Sequence, residues 1–381
     1  MTQPLVWAEI DLSAIAENTR ELRRITRPEA RLMAVVKADA YGHGAAEVAR
    51  TAMAAGASVL GVARLGEAIS LRQAGISAPI LIFSYTAPQD AEALVRLDLA
   101  QSVFDVETAM AFSQHAVTLG QPIHLHLKVD TGMGRLGIFP DNGPGVPVPS
   151  EAVAAARTIA ALPGIILEGL STHFAAADSA DKDFTHRQFT RFTAFIDRLT
   201  AAGVHIPIKH AANSAAIIDH PETHLDMVRA GIALYGLRPS NEVNLSRLRL
   251  TPAMTLKSRI VQLKCVGAGF TVSYGMTWTA KRPTAIATVP VGYADGFSRR
   301  LSNIGEMLVH GRRAPIRGRV CMDHTMIDVG DIPEARTGDE VVIFGRQNGA
   351  EISAEAVAEQ LGTINYEVTS ALTSRVQRIF V

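Results

Sequence analysis

The sequence predicts an α/β fold, an N-terminal (β/α)8 barrel followed by a C-terminal mainly β domain, and three observations carry that prediction. Eight short β-rich runs alternate with Ala-rich helical runs between Leu32 and about Gly236, the signature of parallel βα units. The helical stretches, such as GAAEVARTAMAAG and RLGEAISLRQAG, end in Gly, a common helix stop. After about Asn241 the pattern changes to β-rich segments without long helices. Eight units favour a closed barrel over an open sheet.

In order, the eight runs are LMAVV (32–36), SVLGV (58–62), PILIF (79–83), QSVF (101–104), IHLHLKV (123–129), IILEGLS (165–171), IPIKH (206–210) and DMVRAGIALYG (226–236). The later segments TAIATVPVGYADG, MLVHGRRAPIRGRV, HTMIDVG and DEVVIFG read as a separate β domain. The expected division is 11–240 for the barrel and 241–381 for the β domain, with residues 1–10 available to add a strand to the latter. The Pro/Gly-rich stretch DNGPGVPVPS (141–150) reads as a surface loop.

A chain of 381 residues is long enough for two domains. Lys plus Arg and Asp plus Glu both number 37, so no excess charge draws the protein to nucleic acid or an anionic membrane. A small-molecule substrate is favoured. Cys265 and Cys321 are the two cysteines; they lack metal spacing, fit a reducing compartment and read as ordinary core residues. The N-terminus has no basic segment ahead of an apolar stretch, and no run of about 20 apolar residues occurs anywhere. Cytoplasm is the expected location.

Barrel chemistry sits at the C-terminal ends of the strands. Lys37, Lys128, His173, Asn213 and Arg229 all fall at or near such ends. In AVVKADAYGHG (34–44) Lys37 follows a buried-type strand and precedes a Gly-containing turn. Burial lowers a lysine pKa, and the neutral amine is the form that condenses with an aldehyde. Taken alone, the position favours a lysine whose stem packs while its head reaches solvent.

The undecapeptide AVVKADAYGHG nevertheless closely resembles the cofactor-attachment motif of alanine racemases. Further matches follow in the family's order: HLKVDTGMGRLG (126–137), STHFAAAD (171–178), HAANSAA (210–216), VRAGIALYG (228–236), VSYGMTW (272–278), VGYADGFSR (291–299), GRVCMDHTMIDV (318–329) and INYEVTSALTSRV (364–376). Nine ordered matches are hard to obtain by chance. The resemblance implies pyridoxal 5′-phosphate as cofactor, an amino acid as substrate and a homodimer with shared active sites.

By the same resemblance Lys37 carries the cofactor as a Schiff base, and Tyr41, Ser214, Tyr366 and the backbone amides of Gly231 and Ile232 hold its phosphate. His173 and Asn213 belong to the cofactor site. Arg229 faces the pyridine nitrogen, where a permanently charged group leaves the ring unprotonated and limits side reactions. Racemization needs an acid and a base on opposite faces of one carbon, and the resemblance supplies Lys37 and Tyr274 of the partner subunit. Arg135 binds the substrate carboxylate, Met322 and Asp323 add walls and backbone contacts, and Lys128 is carbamylated. Asp178, Arg299, Arg319 and Ile364 match positions lining the substrate corridor.

Plainer readings stand beside these. Tyr41 and Tyr366 fit half-buried packing, Ser214 a helix cap, Arg229 a surface salt bridge to Asp226 or Glu222, Tyr274 a turn tyrosine, and Lys128 a pair with Asp130. Departures from the family pattern are Trp278 for Tyr, His324 for Gln and Gln377 for Pro. A metal-dependent barrel hydrolase competes, because His124, His126 and Lys128 share one face of the fifth strand by alternation, with His173 and His210 on later strands. No resident metal is expected. An acid in place of Arg229 would favour an amino-acid decarboxylase, and a chain without the β domain would favour a cofactor carrier. A racemase preferring serine or a larger amino acid is the nearest alternative.

Overall fold

The computed structural model describes residues 4–141 and 151–381. Most of the expected loop at 141–150 therefore lies outside the described residues. Two compact units are present: residues 15–40 with 45–251, and residues 1–14 with 41–44 and 252–381.

The first unit is the barrel. Strand β1 (Val6–Ile10) belongs to the other unit; the barrel strands are β2 (Arg31–Val35), β3 (Val59–Val62), β4 (Ile80–Ile82), β5 (Leu99–Val103), β6 (Ile123–Lys128), β7 (Ile165–Ser171), β8 (Ile208–His210) and β9 (Met227–Ala230). They pair in parallel in the order β8-β7-β6-β5-β4-β3-β2-β9. Asp226 N–H donates to Lys209 O at 3.1 Å and Arg229 N–H to Ala212 O at 3.0 Å, joining the remaining two strands. The strands are apolar runs because both faces are covered: every residue of β3 and β4 is buried.

The eighth run is shorter than expected. It stops at Ala230, and after Gly231 the chain turns into a 3-10 segment, Ile232–Tyr235, closed by Gly236 at φ 77°. Helix Val106–Leu119 shows why the intervening segments are helical. Asp105 caps it by accepting from Thr108 N–H at 2.6 Å, and Gly120 at φ 65° ends it.

The second unit is built on a mainly antiparallel sheet in which β1 pairs antiparallel with β10 (Met254–Arg259) and parallel with Gln377–Phe380. A smaller sheet joins Gln262–Val266, Thr284–Val289 and Thr325–Asp328. Residues 241–251, expected in the β domain, stay with the barrel. The reason is polar: Asn18 donates to Thr251 O at 2.9 Å and accepts from Thr251 N–H at 2.8 Å, while Glu21 accepts from Arg249 N–H. Cys265, expected in the core, is exposed, because it lies on Gln262–Val266, where only Val266 is buried.

Candidate active site

Lys37 lies just beyond β2, after Val36. After it the backbone does something the sequence does not announce: Ala38, Asp39, Ala40 and Tyr41 all adopt left-handed conformations, with φ of 52°, 51°, 53° and 53°. Such geometry costs roughly 1–2 kcal/mol per L-residue, so surrounding bonds must hold it. Glu67 does so from the next βα unit. One carboxylate oxygen accepts from Ala38 N–H at 2.7 Å, and the other accepts from Ala63 N–H at 2.7 Å and Arg64 N–H at 3.1 Å. Asp39 accepts from Ala45 N–H at 2.8 Å, which fixes the turn's exit.

At the C-terminal ends of the barrel strands positive charge outweighs negative. Burial lowers the Lys37 amine, and Arg135 adds to the shift against a smaller opposing effect from Glu67. Lys128, the last residue of β6, is pushed well below its ordinary value by burial, then by Arg229 and Arg135. Asp130 opposes that shift, yet its carboxylate is occupied by the N–H groups of Gly132, Gly134 and Arg135 at 2.9–3.1 Å. Among the described residues Lys128 and Asp130 form no salt bridge. Arg135 itself is exposed, and no described carboxylate pairs with it.

Arg229 is 5% exposed. The surface salt bridge is not formed; Asp226 pairs with Lys209 at 3.0 Å instead. Burial lowers the guanidinium to about 10, with Arg135 contributing, so it stays charged at neutral pH. Its partners are all neutral acceptors: Thr172 O at 2.9 Å, Ala211 O at 2.8 Å, His210 Nδ1 at 2.8 Å and His173 Nδ1 at 3.1 Å. Burial, then Arg229, drives both histidines well below their ordinary values. His124, His126 and His210 are also tied into hydrogen bonds, with Glu168, with one another and with Arg229.

Ser214 Oγ accepts from Gly231 N–H at 2.9 Å and Ala233 N–H at 3.3 Å. Asn213, not Ser214, caps the helix Ser214–Asp219, accepting from Ala216 N–H at 3.0 Å. The Gly231 amide is thus held by the serine, while the Ile232 amide has no described acceptor.

In the β unit, Tyr41 and Tyr366 are neighbours, with ring centroids 6.1 Å apart. Gly42, at φ 85°, could not carry a side chain, since a Cβ would lie 2.1 Å from Thr369 O. Tyr274 is 71% exposed, in a turn where Ser273 and Met276 both have positive φ, 65° and 49°. Ser273 Oγ–H anchors that turn on Arg319 O at 2.6 Å. Strain of this kind persists only where neighbours enforce it and is concentrated at functional sites. Asp323 accepts from Arg375 at 2.8 Å, and Met322 is exposed. Glu168 lies in a barrel strand and Glu67 in the helix Leu65–Gln73, and neither stands out in the sequence as a site residue.

The fold and these groups define a two-unit barrel protein with lysine amines and a buried guanidinium gathered at the strand ends. Residues 10–239 match the alanine racemase N-terminal domain and residues 253–380 the alanine racemase C-terminal domain. The chain is 54% identical over 375 residues to the alanine racemase of Desulfosudis oleivorans, covering 98% of this chain and 96% of that one. Identity to the alanine racemase of Methanococcus maripaludis is 48% over 376 residues, covering 99% and 98%. The solved alanine racemase of Clostridium difficile superposes with a TM-score of 0.94 at 40% identity, covering 100% of this chain and 97% of that chain. This chain belongs to the alanine racemase family, whose cofactor is pyridoxal 5′-phosphate.

The barrel residues fit that cofactor chemically. An aldehyde needs an uncharged amine, which Lys37 approaches through burial. A phosphate and a substrate carboxylate need positive charge without competing acids, and Asp130, beside Lys128, is committed to its own loop.

Proposed function

We propose that this protein interconverts L-alanine and D-alanine with pyridoxal phosphate attached to Lys37. The observation that carries the reading is a lysine at a barrel strand end whose amine is pushed below its ordinary pKa by burial and by Arg135. When bound, the cofactor supplies an electron sink that acidifies the substrate Cα–H.

The chain's own residues then have distinct tasks. Ser214, Tyr41, Tyr366 and the amides of Gly231 and Ile232 would hold the phosphate. His173 and Asn213 border the cofactor. Arg229, locked by four acceptors, would present a charged donor to the pyridine nitrogen and keep a proton off it. Arg135 binds the substrate carboxylate, and Met322 and Asp323 wall the substrate. Lys37 Nζ exchanges a proton with one face of Cα, and the phenol of Tyr274 of the partner subunit with the other. The cellular role fits D-alanine supply for peptidoglycan, or D-alanine breakdown, in the cytoplasm; no described helix is long and apolar enough to cross a membrane.

Chiral chromatography after incubation with L-alanine, L-serine and L-lysine tests the reading. Alanine is expected to approach an equal mixture fastest. Faster serine racemization would move the assignment to the nearest alternative, and unchanged alanine with bound cofactor would refute it.

A homodimer is supported by the apolar surface left open on the β unit, where Tyr274, Met276, Met322 and Ile364 are all exposed. Mixing inactive Lys37→Ala and Tyr274→Phe proteins is expected to restore up to about a quarter of wild-type activity, the share of intact sites after random exchange in a C2 dimer. No recovery despite demonstrated exchange would show that the site is not completed in trans.

Lys128 is proposed to be carbamylated. A buried amine beside two guanidiniums and without an ion-paired acid favours the neutral form, which adds CO2 with loss of one proton to give an anion. Protein equilibrated with 13C-bicarbonate is expected to show a carbamate carbon that disappears in Lys128→Ala. A spectrum lacking it would leave Lys128 a plain amine.

A further inference from the structure

Behind Arg229 runs a hydrogen-bonded chain that crosses the barrel interior. Arg229 Nη1 lies 2.8 Å from His210 Nδ1, His210 Nε2 is 2.9 Å from His126 Nδ1, His126 Nε2 is 3.2 Å from Glu168 Oε1, and His124 Nδ1 is 2.7 Å from Glu168 Oε2. His210 and His126 are 1% and 3% exposed. Donor chemistry gives the chain one direction. Guanidinium only donates, so His210 Nδ1 must be bare and its proton must sit on Nε2. That proton then makes His126 Nδ1 the acceptor, leaving the His126 proton on Nε2, pointed at a carboxylate. Glu168, held ionised at about 2 because the histidine hydrogen bonds outweigh burial, only accepts.

The backbone is shaped for this chain. The β6–β7 register slips between Leu125 and His126, so that Leu125 faces Leu167 while His126 faces Gly169, leaving Glu168 as the extra residue of a bulge. Bulges re-aim side chains and break strict alternation. Gly169 separates His126 from His210 on the flanking strands, and a Cβ there would fall 1.9 Å from His126 Nδ1. Only glycine lets the two rings meet across β7.

We propose that Glu168 is a positioning residue: through His126 and His210 its carboxylate locks both imidazoles in the Nε2–H tautomer, keeping His210 Nδ1 open to Arg229. Without that anchor the His126 Nε2–H loses its acceptor, so its proton can move to Nδ1 and press the His210 proton onto its own Nδ1, where it would confront the guanidinium donor. Arg229 would lose a buried bond and its fixed orientation. The consequence for turnover rests on the role given to Arg229 above; the tautomer lock itself does not.

The test is 15N–1H correlation of histidine side chains in 15N-histidine-labelled protein, without and with pyridoxal phosphate. The protein has 12 histidines, and His210→Gln and His126→Gln variants identify the two signals. Both rings are expected to show Nε2–H with bare Nδ1 in the wild type, to become tautomer mixtures in Glu168→Leu, and to recover in Glu168→Gln, whose amide oxygen can accept the same bond. In the holoenzyme the leucine variant is expected to lose roughly tenfold in kcat, the scale of one buried hydrogen bond to a charged group, with less change in KM. A wild-type His210 carrying Nδ1–H, or a leucine variant with unchanged tautomers, overturns the proposal. If the leucine variant fails to fold, Glu168→Ala is read in the same way, and a wild-type Nδ1–H on either ring still overturns the proposal. Tautomers as expected with kcat unmoved would instead refute the Arg229 role.

Discussion

Replacing Lys37 by alanine is expected to lower alanine racemization in both directions by more than the ~10²–10⁴ that a single general acid or base contributes. The substitution removes two things at once, the amine that holds the cofactor and the group that exchanges a proton with one face of Cα. Stability should change little. The left-handed turn after Lys37 is held by Glu67 and Asp39 through backbone N–H groups, which the substitution leaves in place. Borohydride reduction and peptide mapping provide the independent check: wild type should carry the pyridoxyl label on Lys37, and Lys37→Ala none. A label on Lys128 would reverse the two lysines' roles.

Tyr274→Phe is expected to lower turnover by about 10²–10⁴ in both directions, with cofactor content unchanged. The Tyr274 hydroxyl has no described hydrogen-bond partner, and the turn around it is fixed by Ser273 and Arg319. Loss of that oxygen therefore removes proton transfer and leaves the turn intact. A melting temperature near wild type would separate this from damage to the fold, whereas a residual activity above about one tenth would demote Tyr274 from base to positioning residue.

The barrel was legible in the sequence because parallel strands buried on both faces leave apolar runs that period and length reveal, as in Val59–Val62 and Ile80–Ile82. The eighth run was overextended because the apolar residues after Gly231 continue as a 3-10 turn with the same composition as a strand. The place of Lys37 just after a barrel strand was legible from the apolar run before it. The left-handed turn was not: ADAY contains no Gly or Asn to signal positive φ, and the residue enforcing it, Glu67, lies on another βα unit. Alternation correctly put His124 and His126 on one face and raised a metal site, whereas their ring nitrogens engage Glu168 and His210. Glu168 was missed because a bulge alters the alternation that would have flagged it. The grouping of 41–44 with the β unit depends on contacts far along the chain, such as Gly42 O accepting from Arg378 at 2.9 Å.

The most direct test of two bases on opposite faces is deuterium incorporation at Cα when the Tyr274→Phe holoenzyme is incubated with each alanine enantiomer in heavy water. Lys37 acting on the D-enantiomer should still remove and return its proton, so D-alanine should keep exchanging while exchange into L-alanine falls by about 10² or more. Equal loss for both enantiomers, with the cofactor still attached to Lys37, would contradict the two-base assignment.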